Sequence, residues 1–75
     1  MDDDESLALN KLGENVRELR KFIKISQEEL AHQSGLDRTY VGGIERGERN
    51  VTILSALKLC NPLNCSLSEL MKGVK

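Results

Sequence analysis

Residues 27–46 read QEELAHQSGLDRTYVGGIER, and this stretch decides the fold. It follows Ser26, which stands three residues before Glu29, the reciprocal hydrogen-bonding pattern that starts a helix. Gly35 supplies the left-handed residue that ends this first helix, and Asp37 is placed to cap the next one. The segment therefore predicts two short helices that are joined by a three-residue turn.

The spacing within this segment also meets the requirement for a close helix crossing. Two helices joined by so short a turn cross steeply and need a small residue where they touch, a position that Ala31 fills. The predicted small core is completed by apolar residues on both helices: Leu30, Leu36, Val41 and Ile44. An ordinary helical hairpin would explain each feature alone, but their joint spacing favours a helix-turn-helix, over about Gln27 to Arg46, that binds DNA.

Apolar periodicity predicts three further helices. The first carries residues spaced by three or four positions: Leu9, Leu12, Val16, Leu19 and Ile23. The fourth follows a Thr52 cap and is limited by Pro62. Its predicted inner stripe is Ile53, Ala56, Leu57, Cys60 and Leu63. Ser66 and Glu69 repeat the capping pattern and open a last short helix. The predicted fold is all-α, a compact five-helix bundle.

Length, composition and charge fit this prediction. A chain of 75 residues holds one domain, and 39% hydrophobic residues with few aromatics suit helices better than sheets. The net charge of −1 argues against binding to a polyanion, but four of the twelve acids lie in residues 2–5. We therefore expect residues 1–8 to be a disordered acidic tail and residues 9–75 to be a net positive DNA-binding domain with a C-terminal dimerisation helix.

Several other classes of protein are disfavoured. Cys60 and Cys65 lack the partners of a metal site, and we expect them to be buried free thiols. His32 has no nucleophile or paired acid at catalytic spacing, so we expect it on the surface. The sequence predicts no enzyme activity, no cofactor and no small-molecule ligand. Without a signal peptide or an apolar run of membrane length, we expect a cytoplasmic protein.

The start of the second helix of the motif carries the candidate base contacts. Arg38 is placed to donate two hydrogen bonds to guanine O6 and N7, with a phosphate contact as the alternative. Thr39 is placed to meet a base edge or a thymine methyl group. For Tyr40 we expect a phosphate or sugar contact, or else packing against the preceding helix. Gly42 and Gly43 are unusual in a helix interior, and either allow close approach to DNA or are tolerated through packing.

The stretch GLDRTYVGGIERGERN, residues 35–50, resembles the Cro/repressor-type (XRE-like) helix-turn-helix regulators, and among them the controller proteins of restriction–modification systems. The stretches SQEELA and SLSEL fit the wider family. This resemblance implies a lambda-repressor-like fold, a homodimer and a pseudo-palindromic operator. It also implies autoregulation and control of a restriction–modification gene. Glu28 and Glu29 would contact RNA polymerase during activation, or else form a solvated face.

Other residues are assigned to the DNA backbone or to the scaffold. Gln27 lies where its amide and the free N–H groups of a helix start can hold a phosphate, with Ser26 mainly a cap. The resemblance places further backbone contacts at Arg49 and Asn50, just beyond the motif, joined by Arg46 at its end; the alternative is a solvated polar loop. It also implies a partly buried structural ion pair between Arg20 and Glu45.

The last two helices carry the predicted dimer interface. A chain this small is expected to cover only part of its C-terminal apolar stripe, and the alternative is that the stripe closes the monomer core. The predicted interface residues are Asn61, Pro62, Leu63, Asn64, Cys65, Leu67, Leu70 and Met71. The alternative function is a protein-interaction module, such as an antitoxin, that binds DNA only secondarily.

Overall fold

A computed structural model describes residues 3–75, and all regular structure in this range is helical. Five helices follow in chain order: α1 Asp3–Phe22, α2 Gln27–Ser34, α3 Arg38–Glu45, α4 Ile53–Leu63 and α5 Leu67–Leu70. The predicted all-α five-helix fold is therefore confirmed. No helix within residues 3–75 is long and apolar enough to cross a membrane.

Helix α1 begins earlier than its apolar stripe predicts. Residues 3–8, which we expected in a disordered tail, belong to α1, while residues 1 and 2 lie outside the described range. The acidic side chains of Asp3, Asp4 and Glu5 occupy the first turn, where the helix dipole and unpaired N–H groups favour negative charge. The expectation of disorder is therefore wrong for residues 3–8, because their acids favour the start of a helix.

The core is a single cluster to which all five helices contribute. Its buried members are Leu12, Val16, Leu30, Ala31, Val41, Ile44, Ala56, Leu59, Cys60, Leu63 and Leu70. Helix α3 packs against both α1 and α2, and α4 packs against α1, α2 and α5. Helix α3 is thus held from two sides by helices that share its core.

The inward face of α4 matches the predicted stripe only in part, since Ala56, Cys60 and Leu63 are buried but Ile53 and Leu57 are not. The Thr52 cap is confirmed, since its hydroxyl accepts a hydrogen bond from the Ser55 N–H at 3.0 Å. Leu59 is fully buried, whereas Leu57 is 48% exposed and Ile53 66% exposed. Apolar residues surround most of this helix, so the spacing of three and four fits two faces equally well. An apolar strip of α4, formed by Ile53, Leu54 and Leu57, consequently remains on the surface.

Cys60 lies in α4, and Cys65 lies in the turn between α4 and α5. Cys60 is buried as expected and Cys65 is half-buried, and both are free thiols. Burial, together with the neighbouring Cys60 and Glu69, raises the pKa of Cys65 to about 11. The thiol of Cys65 is therefore protonated, and poorly nucleophilic, at neutral pH.

Helix α5 is short but fully capped at its start. The Ser66 N–H donates to Glu69 Oε1 at 2.9 Å, and the Glu69 N–H donates to Ser66 Oγ at 3.0 Å. This reciprocal pair confirms the predicted capping box. The capped helix ends at Leu70, whose side chain is completely buried in the core.

Candidate nucleic-acid interface

Helix α2 begins after its Ser26 cap and ends at Gly35, where the predicted three-residue turn leads into α3. Ser26 caps α2 by accepting a hydrogen bond from the Glu29 N–H at 3.0 Å, while the Glu29 carboxylate accepts one from the Gln33 amide. Gly35 has a φ of 76°, and its N–H closes the last turn of α2 on the carbonyl of Ala31 at 2.9 Å. A side chain at this φ is strained, so glycine sets the point at which α2 ends.

The start of α3 differs from the prediction in one respect. Asp37 occupies the N-cap position in an extended conformation, but its side chain makes no capping hydrogen bond. The hydroxyl of Ser34 instead organises the turn, donating to the Ala31 carbonyl and accepting from the Leu36 N–H. With the turn fixed from the α2 side, the carboxylate of Asp37 remains on the surface.

The contact between α2 and α3 is tightly packed. Ala31 is 5% exposed, and Leu30 and Val41 are completely buried. Ile44 lies one helical turn beyond Val41 and is buried as well. The predicted small core of the motif is confirmed, and it fixes the direction in which α3 projects.

Arg38 and Thr39 lie exposed on the first turn of α3. Within residues 3–75, the Arg38 guanidinium forms no ion pair or hydrogen bond, so its donors are free for another molecule. Both residues therefore occupy the surface that we expected to face DNA bases. The residues that follow them, Val41 and Ile44, are the ones that anchor the helix.

Tyr40 ties the loop after α3 back onto the helix. Its hydroxyl donates to the carbonyl oxygen of Asn50 at 2.9 Å. The guanidinium of Arg49 lies 5.9 Å from the centroid of the Tyr40 ring, a cation–π distance. Arg49 and Asn50 are exposed, so the loop is ordered by these contacts while its polar groups stay at the surface.

The predicted ion pair between Arg20 and Glu45 is present, and it is bidentate. Arg20 Nε donates to Glu45 Oε2 at 2.6 Å, and Arg20 Nη2 donates to Oε1 at 2.9 Å. The Gln27 amide also donates to Oε1, at 3.0 Å. The Glu45 side chain is 1% exposed, so this cluster joins α1, α2 and α3 beneath the recognition surface.

The protonation of Glu45 follows from these contacts. Burial alone would raise the pKa of its carboxyl group. The hydrogen bonds from Arg20 and Gln27, with the charges of Arg20 and Arg17, outweigh burial and hold the pKa below its usual value. Glu45 is therefore an anion at neutral pH, paired with a cation whose own pKa is raised by the same hydrogen bond.

Comparison with known proteins decides the family. A helix-turn-helix family model matches residues 16–70. The chain is 50% identical over 66 residues to the control protein C.SmaI of Serratia marcescens, covering 85% of this chain and 79% of that protein. The chain belongs to the helix-turn-helix family of transcriptional regulators.

Solved structures place this regulator among controller-like proteins. The restriction–modification controller protein C.AhdI of Aeromonas hydrophila is 53% identical, with a TM-score of 0.81 over 83% of this chain and 94% of that one. A mutant of C.Esp1396I bound to its highest-affinity operator site is 34% identical, with a TM-score of 0.73 over 87% and 96% of the two chains. The resemblance inferred from residues 35–50 is confirmed.

The regulator's other predicted backbone-contact residues differ in how free they are. Ser26 is exposed, but its hydroxyl is engaged as a cap. One amide donor of Gln27 is taken by Glu45, which sequence reasoning missed because the two residues lie 18 positions apart. Arg46 is exposed and its Nε lies 3.1 Å from Glu48 Oε1 in a surface ion pair.

The predicted dimer interface of the regulator needs correction. Leu63 and Leu70 are 1% and 0% exposed within a single protomer, so they cannot contact a second one. For these two residues the alternative interpretation holds, because they close the monomer core. Half-buried members of the predicted set are Pro62, Cys65 and Leu67; exposed members are Asn61, Asn64 and Met71.

Two buried residues of α1, one packed against α3 and one bonded to the end of α5, were not found from the sequence. A Cβ on Gly13 would lie 2.5 Å from the carbonyl oxygen of Ile44 and 2.7 Å from that of Glu45, so α1 touches the backbone of α3 there. Asn15 is 7% exposed and donates from Nδ2 to the carbonyls of Leu70 and Lys72, both at 2.8 Å. Neither residue disturbs the apolar periodicity of α1, which is why no local signal marked them.

No metal centre is formed by the regulator's residues 3–75, which contain no group of three or more His, Cys, Asp or Glu side chains placed to hold an ion. His32 is exposed on α2, as the sequence predicts.

Proposed function

We propose that this regulator binds a pseudo-palindromic operator as a homodimer and controls its own operon together with a restriction–modification gene, in the bacterial cytoplasm. The observation that carries the proposal is the exposed first turn of α3, where Arg38 has an unengaged guanidinium above a buried scaffold. The similar C.Esp1396I, bound to its operator, supports DNA as the ligand. The proposal includes no catalytic step.

Direct readout falls to Arg38 and Thr39. The guanidinium of Arg38 donates two parallel hydrogen bonds to guanine O6 and N7, a geometry that no other base offers in the major groove. Thr39 contacts a base edge with its hydroxyl or a thymine with its methyl group. Sequence specificity is then concentrated in two side chains, with DNA deformability contributing the remainder.

Contacts to phosphate set the register of the protein on the duplex. The residues proposed for them are Ser26, Gln27, Arg46, Arg49 and Asn50. Tyr40, whose hydroxyl donates to the Asn50 carbonyl, is proposed to contact the sugar part of the DNA backbone. Because one amide donor of Gln27 is bonded to Glu45, its phosphate contact uses the second amide hydrogen or the free backbone N–H groups at the start of α2.

The proposed dimer uses the exposed apolar strip of α4. Leu54 and Leu57 are 70% and 48% exposed and lie on one face with Ile53. Asn61, from the interface predicted on sequence, lies one turn further along the same face and is exposed. A two-fold dimer presents the same patch from both subunits, and a strip of leucines is self-complementary.

Footprinting on the DNA upstream of the gene tests the proposal. We expect protection of two related half-sites by the unmodified protein. Arg38→Ala should bind weakly and without sequence preference, with the strong salt dependence of phosphate contacts alone. Lys72→Ala removes the same charge outside the motif and serves as the control. Equal protection by Arg38→Ala would contradict the assignment of base readout, and no protected site for the unmodified protein would contradict the function.

A further inference from the structure

Gly42 and Gly43 lie in the middle of α3, where glycine weakens a helix relative to alanine. Both are buried although neither has a side chain. A Cβ on Gly42 would meet the ends of two flexible side chains, Arg46 Nη1 at 3.2 Å and Gln27 Oε1 at 3.5 Å. Gly42 is therefore covered by the side chains of Arg46 and Gln27, whereas a different side chain covers Gly43.

Arg49 covers Gly43. A Cβ added at Gly43 would lie 2.6 Å from Arg49 Cγ, 3.4 Å from Nε and 3.5 Å from Cδ. The Glu48 N–H also donates to the Gly43 carbonyl at 2.9 Å. Both the backbone of the loop and the stem of the Arg49 side chain thus rest on this one residue of α3.

The far end of Arg49 is held as well. Its guanidinium lies 5.9 Å from the centroid of the Tyr40 ring, one helical turn before Gly43. The Tyr40 hydroxyl donates to the Asn50 carbonyl at 2.9 Å, which fixes the residue next to Arg49. A long and flexible side chain at an exposed position is therefore restrained at its stem and at its tip.

We propose that Gly43 is a positioning residue for Arg49: because Gly43 has no side chain, the stem of Arg49 packs against the backbone of α3 and is ordered before DNA binds. We call this contact of Arg49 with Gly43 the seat of Arg49. The inference rests on the proposed function, in which Arg49 contacts the DNA backbone. Ordering a long side chain on binding lowers affinity by roughly 2- to 12-fold per residue. A guanidinium that is already ordered in the free protein avoids much of this loss.

The seat can be tested first without DNA. Tyr40 is the only tyrosine of the chain and there is no tryptophan, so its ring signals in an NMR spectrum are unambiguous. We expect upfield ring-current shifts of the Arg49 side-chain protons in the unmodified protein. Gly43→Ala should remove these shifts in a protein whose other signals remain those of the folded state, because its Cβ displaces Arg49 Cγ. Arg49→Ala should move the Tyr40 ring signals. Gly42→Ala is the matched control, since it should leave the Arg49 shifts in place.

Operator binding supplies the second readout. Gly43→Ala should weaken binding by about 2- to 12-fold, and it should cause no further loss in a protein that already carries Arg49→Ala. The proposal would be overturned if the Arg49 shifts did not change in Gly43→Ala. It would also be overturned if Gly43→Ala lowered affinity equally with and without Arg49, which would show that Gly43 instead allows close approach to DNA. If the unmodified protein binds no operator, the proposed function fails, whereas the ring-current shifts still decide whether Gly43 seats Arg49.

Discussion

Glu45 shows how one buried carboxylate organises the motif. Its oxygens accept hydrogen bonds from Arg20 on α1 and Gln27 at the start of α2, while Arg17 lies 3.9 Å away. An unpaired charge at a side chain that is 1% exposed would be strongly unfavourable. The pairing therefore makes the orientation of α3 depend on both preceding helices.

Replacing Glu45 with alanine should destabilise the protein by about 3 kcal/mol, because the Arg20 guanidinium would be left without its partner in a site that is 12% exposed. Urea denaturation measures this loss. The control is Glu48→Ala, which breaks the exposed pair with Arg46 and should change stability by about 0–1 kcal/mol. Similar losses in the two variants would show that burial does not strengthen the dependence on Glu45.

The lowered pKa of Glu45 also predicts a pH dependence. Its carboxylate contributes its full stabilisation above the ordinary pKa of 4.5, and the contribution disappears as pH falls through the lower folded value. The difference in unfolding free energy between the unmodified protein and Glu45→Gln should therefore be constant near neutral pH and shrink in acid. Urea titrations between about pH 7 and pH 3 measure it. A difference that does not change with pH would contradict the lowered pKa.

At the scale of elements, α1 approaches the backbone of α3 closely at Gly13. Gly13 presents no side chain to the last turn of α3, so the helix backbones come together there. This contact and the Glu45 cluster fix the same helix by two different means, one steric and one electrostatic. The orientation of α3, the recognition helix, is consequently set by its buried contacts with α1 and α2 rather than by its exposed residues.

Gly13→Ala should destabilise the protein by roughly 1–3 kcal/mol, because the new methyl group would lie 2.5 Å from a backbone oxygen that cannot rotate away. Intrinsic helix propensity predicts the opposite sign, a gain of about 1 kcal/mol. Thermal unfolding distinguishes the two. Gly42→Ala meets only the ends of flexible side chains, so its Tm should hold or rise.

The elements show which parts of the structure could be predicted from sequence. Ser26, Gly35 and Thr52 act on backbone groups within four residues, so their spacing alone predicted where α2 ends and where α2 and α4 begin. The inward face of α4 depends on what packs against it, and a helix with apolar residues on most sides does not specify that face. The contact at Gly13 joins α1 to distant residues of α3, and the seat of Arg49 joins α3 to the irregular loop that follows it. Helical periodicity carries no information about either.

At the scale of the whole molecule, the apolar strip of α4 is one of the apolar surfaces that the fold leaves exposed. Its exposed residues follow the spacing of one helical face, and an operator with two half-sites requires two recognition helices. In the proposed function, the strip joins two subunits and each subunit supplies one recognition helix.

We expect the unmodified protein to sediment at twice its 8.4 kDa mass at micromolar concentration. Leu54→Glu and Leu57→Glu should sediment as folded monomers, because each places a charge within the apolar strip. Phe22→Glu is the control, since it changes an apolar side chain that is 83% exposed on α1. A monomeric unmodified protein, or dimers of both leucine variants, would contradict the proposed interface.

Asn15 links parts of the chain that are 55 and 57 residues apart through two hydrogen bonds. Helix α5 has only four residues, too few to be stable by itself, so it depends on its packing against α1 and α4. Amide hydrogens at the end of α5 should then exchange with solvent at rates that follow the opening of α1, as parts of one cooperative unit.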